Sequence, residues 1–351
     1  MSRAVVEGFW VLKSPAIEAF RASARRPLAW LGVITTIGMF IVVAMGDLVT
    51  NAGAAEGCGR SWPLCHGQFV PTFTAQTLIE FSHRAVVGLV SIGVIALAVG
   101  TFLRTPWRRE TQVLAPALVF FLLLQAVLGG MAVLWPQSPP VLALHLGISL
   151  IALATVLLTT ALLLEEEGGD RLRDRPVPVG FRRLCWAALV YLYALVYLGA
   201  FVRHSNAQLA CSGWPFCNGA LVPSLHGLVL VNFLHRLAAL GAVALFGVLF
   251  WSAGPLRAQR PDLFRGSAAA LLALLAQAGS GALVALSNMA LWSALLHGAL
   301  ISLVFGAVSY LCLHVLPRPR SARPPALSTP GTARELRTAS LATAGAKTIR
   351  S

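Results

Sequence analysis

Residues 80–89 read EFSHRAVVGL, and residues 232–241 read NFLHRLAALG. Each places a His-Arg pair at the head of an apolar run long enough to cross a bilayer. Ionisable residues inside such runs are costly and mark function by default. Working outward from these two, eight apolar runs are read at about 29–50, 79–103, 112–135, 141–164, 184–204, 232–253, 267–287 and 291–315. Each is near the ~20 residues a helix needs to span the hydrocarbon layer. With 57% hydrophobic and 11% charged residues and a mean hydropathy of +0.76, the chain is excluded from the soluble globular class. A basic segment precedes the first run with no small-residue cleavage site, so that run reads as an anchor and not a signal peptide.

Of the 27 basic residues, 23 fall on one side of such a topology: before run 1, between runs 2 and 3, 4 and 5, and 6 and 7, and in the tail. Arg60 and the helix-end Arg203 fall on the other, and Arg84 and Arg236 lie within runs. The positive-inside bias puts both termini in the cytoplasm of a cell-membrane protein. The net charge of +14 then describes loops facing anionic lipid, not a nucleic-acid site. Residues 317–351, rich in Pro, Ser, Thr, Ala and Arg, lack the apolar content to fold and read as a disordered cytoplasmic tail. Residues 1–28 read as a cytoplasmic or interfacial segment with Phe9, Trp10 and Phe20 against lipid.

An internal repeat emerges at an offset of 152. SWPLCHG (61–67) lies over GWPFCNG (213–219), and Phe81, His83 and Arg84 lie over Phe233, His235 and Arg236. LLLQAVLGGMAVL (122–134) lies over LLAQAGSGALVAL (274–286), matching Gln125 with Gln277, and His145 lies over His297. Apolar segments share Leu and Ala by chance, but not Trp-Pro, Cys, His-Arg, Gln and His at one offset. The expected fold is all-α: eight transmembrane helices as two parallel-repeat four-helix bundles, 29–164 and 184–316, joined by a cytoplasmic linker at 165–183.

The repeat sorts the eight histidines. His66, His204, His226 and His314 lack clean counterparts and read as polar loop or helix-end residues. His83, His145, His235 and His297 form matched pairs at similar depth on the even-numbered helices. Two imidazoles from facing helices suit a flat metal macrocycle, whereas a bare zinc or copper site wants more ligands. Each half therefore reads as a bis-His heme pocket, His83 with His145 and His235 with His297. Arg84 and Arg236, each one residue on from a ligand, are candidates for salt bridges to heme propionates, with snorkelling to the interface as the bland alternative.

Cys185 and Cys312 read as core residues. Cys58 with Cys65, and Cys211 with Cys217, form local pairs in the large outer loops, where disulfides persist. Glu80 and His83, three apart, share one helix face, yet Glu80 is matched by Asn232, which cannot carry protons as a carboxylate can. Chemistry in the first half and support in the second would explain that difference. The bland alternative for Glu80 is a helix N-terminal carboxylate favoured by the macrodipole. Asp47 is the only other acidic residue within a span, which argues against a di-iron site.

In their order, GCGRSWPLC, EFSHR, LHLG, CSGWPFC, NFLHR and LLHGAL resemble the heme A synthase family over about residues 29–316, in its bacterial type with two loop cysteine pairs. The resemblance implies oxidation of the C8 methyl of heme O to a formyl group, giving heme A for terminal oxidases. It also implies that His83 and His145 flank the substrate heme and that His235 and His297 hold a heme b cofactor. It further implies that Glu80, Cys58 and Cys65 serve catalysis and that Cys211–Cys217 is structural. A short-loop, exposed Cys58–Cys65 bond is expected to be labile enough to exchange reducing equivalents. Implied partners are heme O, a heme O synthase and membrane lipid, with room for an oligomer. One departure is Thr50, where many relatives carry Arg and which is set against Arg203. The alternative functions are a di-heme b-type electron-transfer protein and a heme transporter. The first would share the four histidines but has no need of a one-sided Glu80 or the loop cysteines, and the second would move heme with its substituents unchanged.

Overall fold

A computed structural model describes residues 19, 23–106, 108–135, 138–168 and 171–316. The expectations for an interfacial helix with Phe9, Trp10 and Phe20, and for a disordered 317–351, fall outside them. Among the described residues there are eight long helices and no strand. They are α1 (Arg25–Asn51), α2 (Ala75–Arg104), α3 (Arg109–Leu134), α4 (Pro139–Gly168), α5 (Val179–His204), α6 (Gly227–Ala253), α7 (Pro261–Leu286) and α8 (Leu291–His314). All eight are long and apolar enough to cross a membrane, and the chain is a multi-pass membrane protein. Side chains such as Trp30, Ile92 and Trp251 stay exposed, which water would penalise and lipid does not.

Several helices begin four to six residues before the apolar patterns do, because a first turn at the interface can be polar and still helical. The Thr74 side chain accepts from the Thr77 amide at 3.1 Å, capping α2 one turn earlier than hydropathy suggests. Pro261 at the first position of α7, with Asp262 behind it, gives a similar early start.

In contacts, α1 to α4 close a ring of neighbours (α1–α2, α2–α3, α3–α4, α4–α1), and α5 to α8 close another. Contacts α4–α5, α4–α8 and α1–α8 join the rings. One core cluster lies within the first ring, around Met39, Leu97, Leu118 and Val156. The other lies within the second ring, around Leu192, Phe246, Leu263 and Val308, and takes in Val43, Leu150 and Ala154 from α1 and α4. Small residues allow the close approaches: a methyl on Gly38 would come within 2.8 Å of Val90, and one on Gly93 within 2.9 Å of Thr35.

At the end of the helices away from the four histidines a polar cluster also joins the rings. Arg260, fully buried, donates to Asp262 and, at 2.8 Å, to the His314 carbonyl. The His314 ring meets Asp262 at 3.1 Å and Glu165 at 2.8 Å, and Arg173 pairs with Glu165 and Glu110. His314, read from sequence as a bland helix-end residue, is a buried link between α4, α7 and α8.

Candidate functional site

His83 and His145 lie in the third and second turns of α2 and α4, and His235 and His297 take the same places in α6 and α8. At ~1.5 Å of rise per residue, all four sit about 9–12 Å in from the same ends of their helices. His83 and His145 stand on opposite helices of the first ring, and His235 and His297 on opposite helices of the second.

Each imidazole stands against a glycine of the preceding helix. Measured to where a Cβ would be, His83 is 3.5 Å from Gly46, His145 3.7 Å from Gly129, His235 2.8 Å from Gly199 and His297 3.2 Å from Gly281. A methyl would crowd the ring at Gly199 and Gly281 and only touch it at Gly46 and Gly129. The Nδ1 atoms of His83, His145 and His235 are buried and make no hydrogen bond, so the surrounding side chains leave these rings untied. His297 differs: Gln277 Nε2 lies 3.1 Å and Ser280 Oγ 2.8 Å from its Nδ1. In the first ring Gln125 instead donates to the His145 carbonyl at 3.0 Å. Among the described residues no three His, Cys, Asp or Glu side chains converge as a bare-ion site. Paired imidazoles over glycine, three of the four with an unsatisfied ring nitrogen, fit a heme held axially.

The two cysteine-bearing loops carry the same local features 152 residues apart. Trp62-Pro63 and Trp214-Pro215 are both cis. Disulfides join Cys58 to Cys65 and Cys211 to Cys217, with Cα atoms 4.6 and 4.8 Å apart. His66 and Asn218 both adopt positive φ, and each cysteine loop closes with one isolated bridge, Cys65 to Gln68 and Cys217 to Ala220. Arg84 Nη1 donates to the carbonyls of Ser61 at 2.7 Å and Leu64 at 2.8 Å; Arg236 Nη1 donates to those of Gly213 at 2.9 Å and Phe216 at 3.1 Å. Both guanidiniums hold a loop down on the helix that carries the histidine.

Glu80 and Asn232 differ in what they do for those loops. Glu80, buried, accepts the Cys58 amide at 2.8 Å on one oxygen and pairs with Arg84 through the other. Asn232 accepts from Arg236 Nε at 3.0 Å but donates to the Ala207 carbonyl at 2.9 Å. The polarity of the helix-to-loop bond is reversed. Because α2 starts at Ala75, Glu80 lies in its second turn, past the reach of the macrodipole. The carboxylate is held instead by the Cys58 amide and Arg84, which ties the loop to α2. Cys58 and Cys65 are also buried, at 0% and 1% exposure, so an argument from an exposed, labile disulfide does not hold for them.

Sequence reasoning did not anticipate Asp47, Asn51 and Arg203. At an offset of 152 the mate of Arg203 is Asn51, not Thr50, and the two side chains touch: Arg203 Nε donates to Asn51 Oδ1 at 2.9 Å. The charged residues in the spans were the available signal. Cys185 and Cys312 are buried free thiols, with the Cys312 thiol donating to the Cys185 carbonyl at 3.4 Å.

A family model described as cytochrome oxidase assembly protein, COX15-CtaA, matches residues 29–309. The chain is 42% identical to the heme A synthase of Symbiobacterium thermophilum over 296 residues, covering 83% of this chain and 96% of that protein. It is 40% identical to the heme A synthase of Shouchella clausii over 289 residues, 81% and 96% of the two chains. With that of Geobacillus kaustophilus the identity is 41% over 295 residues, 83% and 92% of the two.

Proposed function

The chain belongs to the COX15-CtaA family of heme A synthases, and from that premise we propose that it is the membrane oxidoreductase that converts heme O to heme A. The electron-carrier alternative gains no support from relatives that share this name at about 40% identity. The reaction turns the C8 methyl of heme O into a formyl group: oxygen enters while protons and electrons leave that carbon.

The single observation that carries the site reading is the pairing of imidazoles over glycine on α2 with α4 and on α6 with α8. We assign His83 and His145 to the substrate, and His235 and His297 to a resident heme b, whose iron would supply one-electron chemistry. The two rings of helices then act as two repeat bundles, catalytic (29–164) and supporting (184–316). Both termini lie in the cytoplasm, which puts the disulfide loops and all four histidines on the outer side of the cell membrane. A heme O synthase in the same membrane is the source of substrate.

Within the first bundle, His83 and His145 hold the substrate in register and Glu80 accepts protons leaving the reacting carbon. The Cys58 amide and Arg84 fix both oxygens of that carboxylate, so it does not reorganise during the reaction. The Cys58–Cys65 disulfide contributes by fixing the amide that Glu80 accepts. Cys211–Cys217 holds the second loop, where Asn232 leaves no carboxylate. Arg84 and Arg236 anchor the loops, and their guanidiniums lie where a propionate reaching the loop would find a cation.

The test is pigment extraction from cells that make heme O and express Glu80→Ala. Heme should stay bound to the purified protein while formyl-bearing heme disappears. Normal accumulation of heme A would remove Glu80 from the chemistry, and loss of heme from the purified protein would make it a binding residue instead.

A further inference from the structure

Asp47, Asn51 and Arg203 form a hydrogen-bonded chain between the two rings of helices. Asn51 Nδ2 donates to Asp47 Oδ1 at 2.8 Å, Arg203 Nε donates to Asn51 Oδ1 at 2.9 Å, and Arg203 Nη2 reaches the Thr50 carbonyl at 3.2 Å. The carboxylate and the guanidinium are near enough for their charges to interact. The other Asp47 oxygen is buried, has no hydrogen bond and is turned towards Gly298 of α8, where a methyl would overlap it.

The placement of this chain touches all four histidines through near neighbours. Gly46, next to Asp47, backs the His83 ring, and Gly298 follows His297. Gly199, one turn before Arg203, backs the His235 ring, and His204, next to Arg203, is within electrostatic reach of His145. Asn51 and Arg203 are also repeat mates that meet face to face. Two cations there would repel; an amide and a guanidinium bond to each other, and Asp47 balances the single charge. Asp47 lies about one turn inside the end of α1, where an ionisable group is a functional candidate by default.

We propose that the Asp47–Asn51–Arg203 chain is a positioning element shared by both histidine pairs, one oppositely charged couple that sets the redox balance of each heme site. The proposal rests on the assignment of heme to those pairs. In a medium of effective dielectric near 20, a unit charge about 10 Å from an iron shifts its oxidised-to-reduced ratio roughly tenfold. Removing the anion disfavours the oxidised site and removing the cation favours it.

Optical redox titration of the purified full-length protein loaded with heme tests this, with His83→Ala and His235→Ala backgrounds isolating one site each. Asp47→Asn is expected to lower the oxidised-to-reduced ratio at fixed potential about tenfold at both sites, a midpoint rise of about 59 mV. Arg203→Gln is expected to raise the ratio similarly, and the double variant to return towards the parent. A merely structural role would not give opposite signs. If Asp47→Asn does not accumulate, Gly298→Ala displaces the carboxylate by its added methyl and should move both midpoints upward. Normal heme content with unmoved midpoints, shifts of one sign for both variants, or a shift at one site alone would overturn the proposal. Full retention of both hemes in the histidine backgrounds would instead overturn the heme assignment.

Discussion

The loop between α1 and α2 and the loop between α5 and α6 share a cysteine pair, a cis Trp-Pro step and an arginine on two loop carbonyls. Among their differences, one replaces a titratable group by a neutral one. Glu80 accepts an amide hydrogen from its loop, and Asn232 donates to a carbonyl of its own. A duplicated scaffold can thus keep its shape while one copy holds a titratable group and the other gives it up, because an amide satisfies the same arginine that a carboxylate does. The shared parts of the two loops bear on stability. The part that differs is where chemistry can reside.

The sharpest way to break this comparison is at the histidines. His83→Ala or His145→Ala should abolish formyl-heme production while heme remains on the purified protein through His235 and His297. His235→Ala should remove that resident heme. Extracted heme analysed by pyridine hemochrome and chromatography separates the two outcomes, and equal loss from both sites would mean the pairs are not independent.

Next comes the residue on which the halves differ. Glu80→Gln should cut heme A production by about 10²–10⁴-fold, the usual span for a lost general acid or base. Asn232→Asp should leave turnover within a few-fold of the parent. Comparable losses from both would show that the position serves the loop and not the reaction.

A smaller effect is expected at the glycines. A methyl on Gly199 would sit 2.8 Å from the His235 ring and one on Gly129 3.7 Å from His145. Gly199→Ala should therefore lower heme occupancy several-fold and Gly129→Ala leave it near the parent level, read as heme-to-protein ratio.

The smallest difference lies in the disulfides. Closing loops this short stabilises each by about 2–3 kcal/mol in the chain-entropy model, so Cys58→Ser with Cys65→Ser and Cys211→Ser with Cys217→Ser should lower thermal stability alike. Only the first double variant should also slow heme O conversion, since Cys58 alone of the four cysteines holds Glu80. Equal rates in the two would detach the first disulfide from catalysis.

Much of this was legible in the sequence because hydropathy and spacing are local properties. Eight runs of about 20 apolar residues specify eight spans, and the offset of 152 brings His83, His145, His235 and His297 to notice without any coordinates. The cysteine pairs, seven and six residues apart, read as local because each pair lies within one loop. The starts of α2 and α7 were misread because an interfacial first turn is capped by Thr74 or opened by Pro261, and neither raises hydropathy.

The sequence by itself determined the membrane class, the number of spans, the family and which residue types could meet a heme. Only the tertiary structure decided what each polar group touches: Arg84 on loop carbonyls, Glu80 on the Cys58 amide, His314 between two carboxylates, and Arg203 against its own repeat mate. The physical reason is rotational. A helix that is apolar nearly all round does not declare which face it buries. Contacts between residues 20 to 152 positions apart are therefore fixed only when the helices pack and each unmatched polar group must find a partner away from lipid.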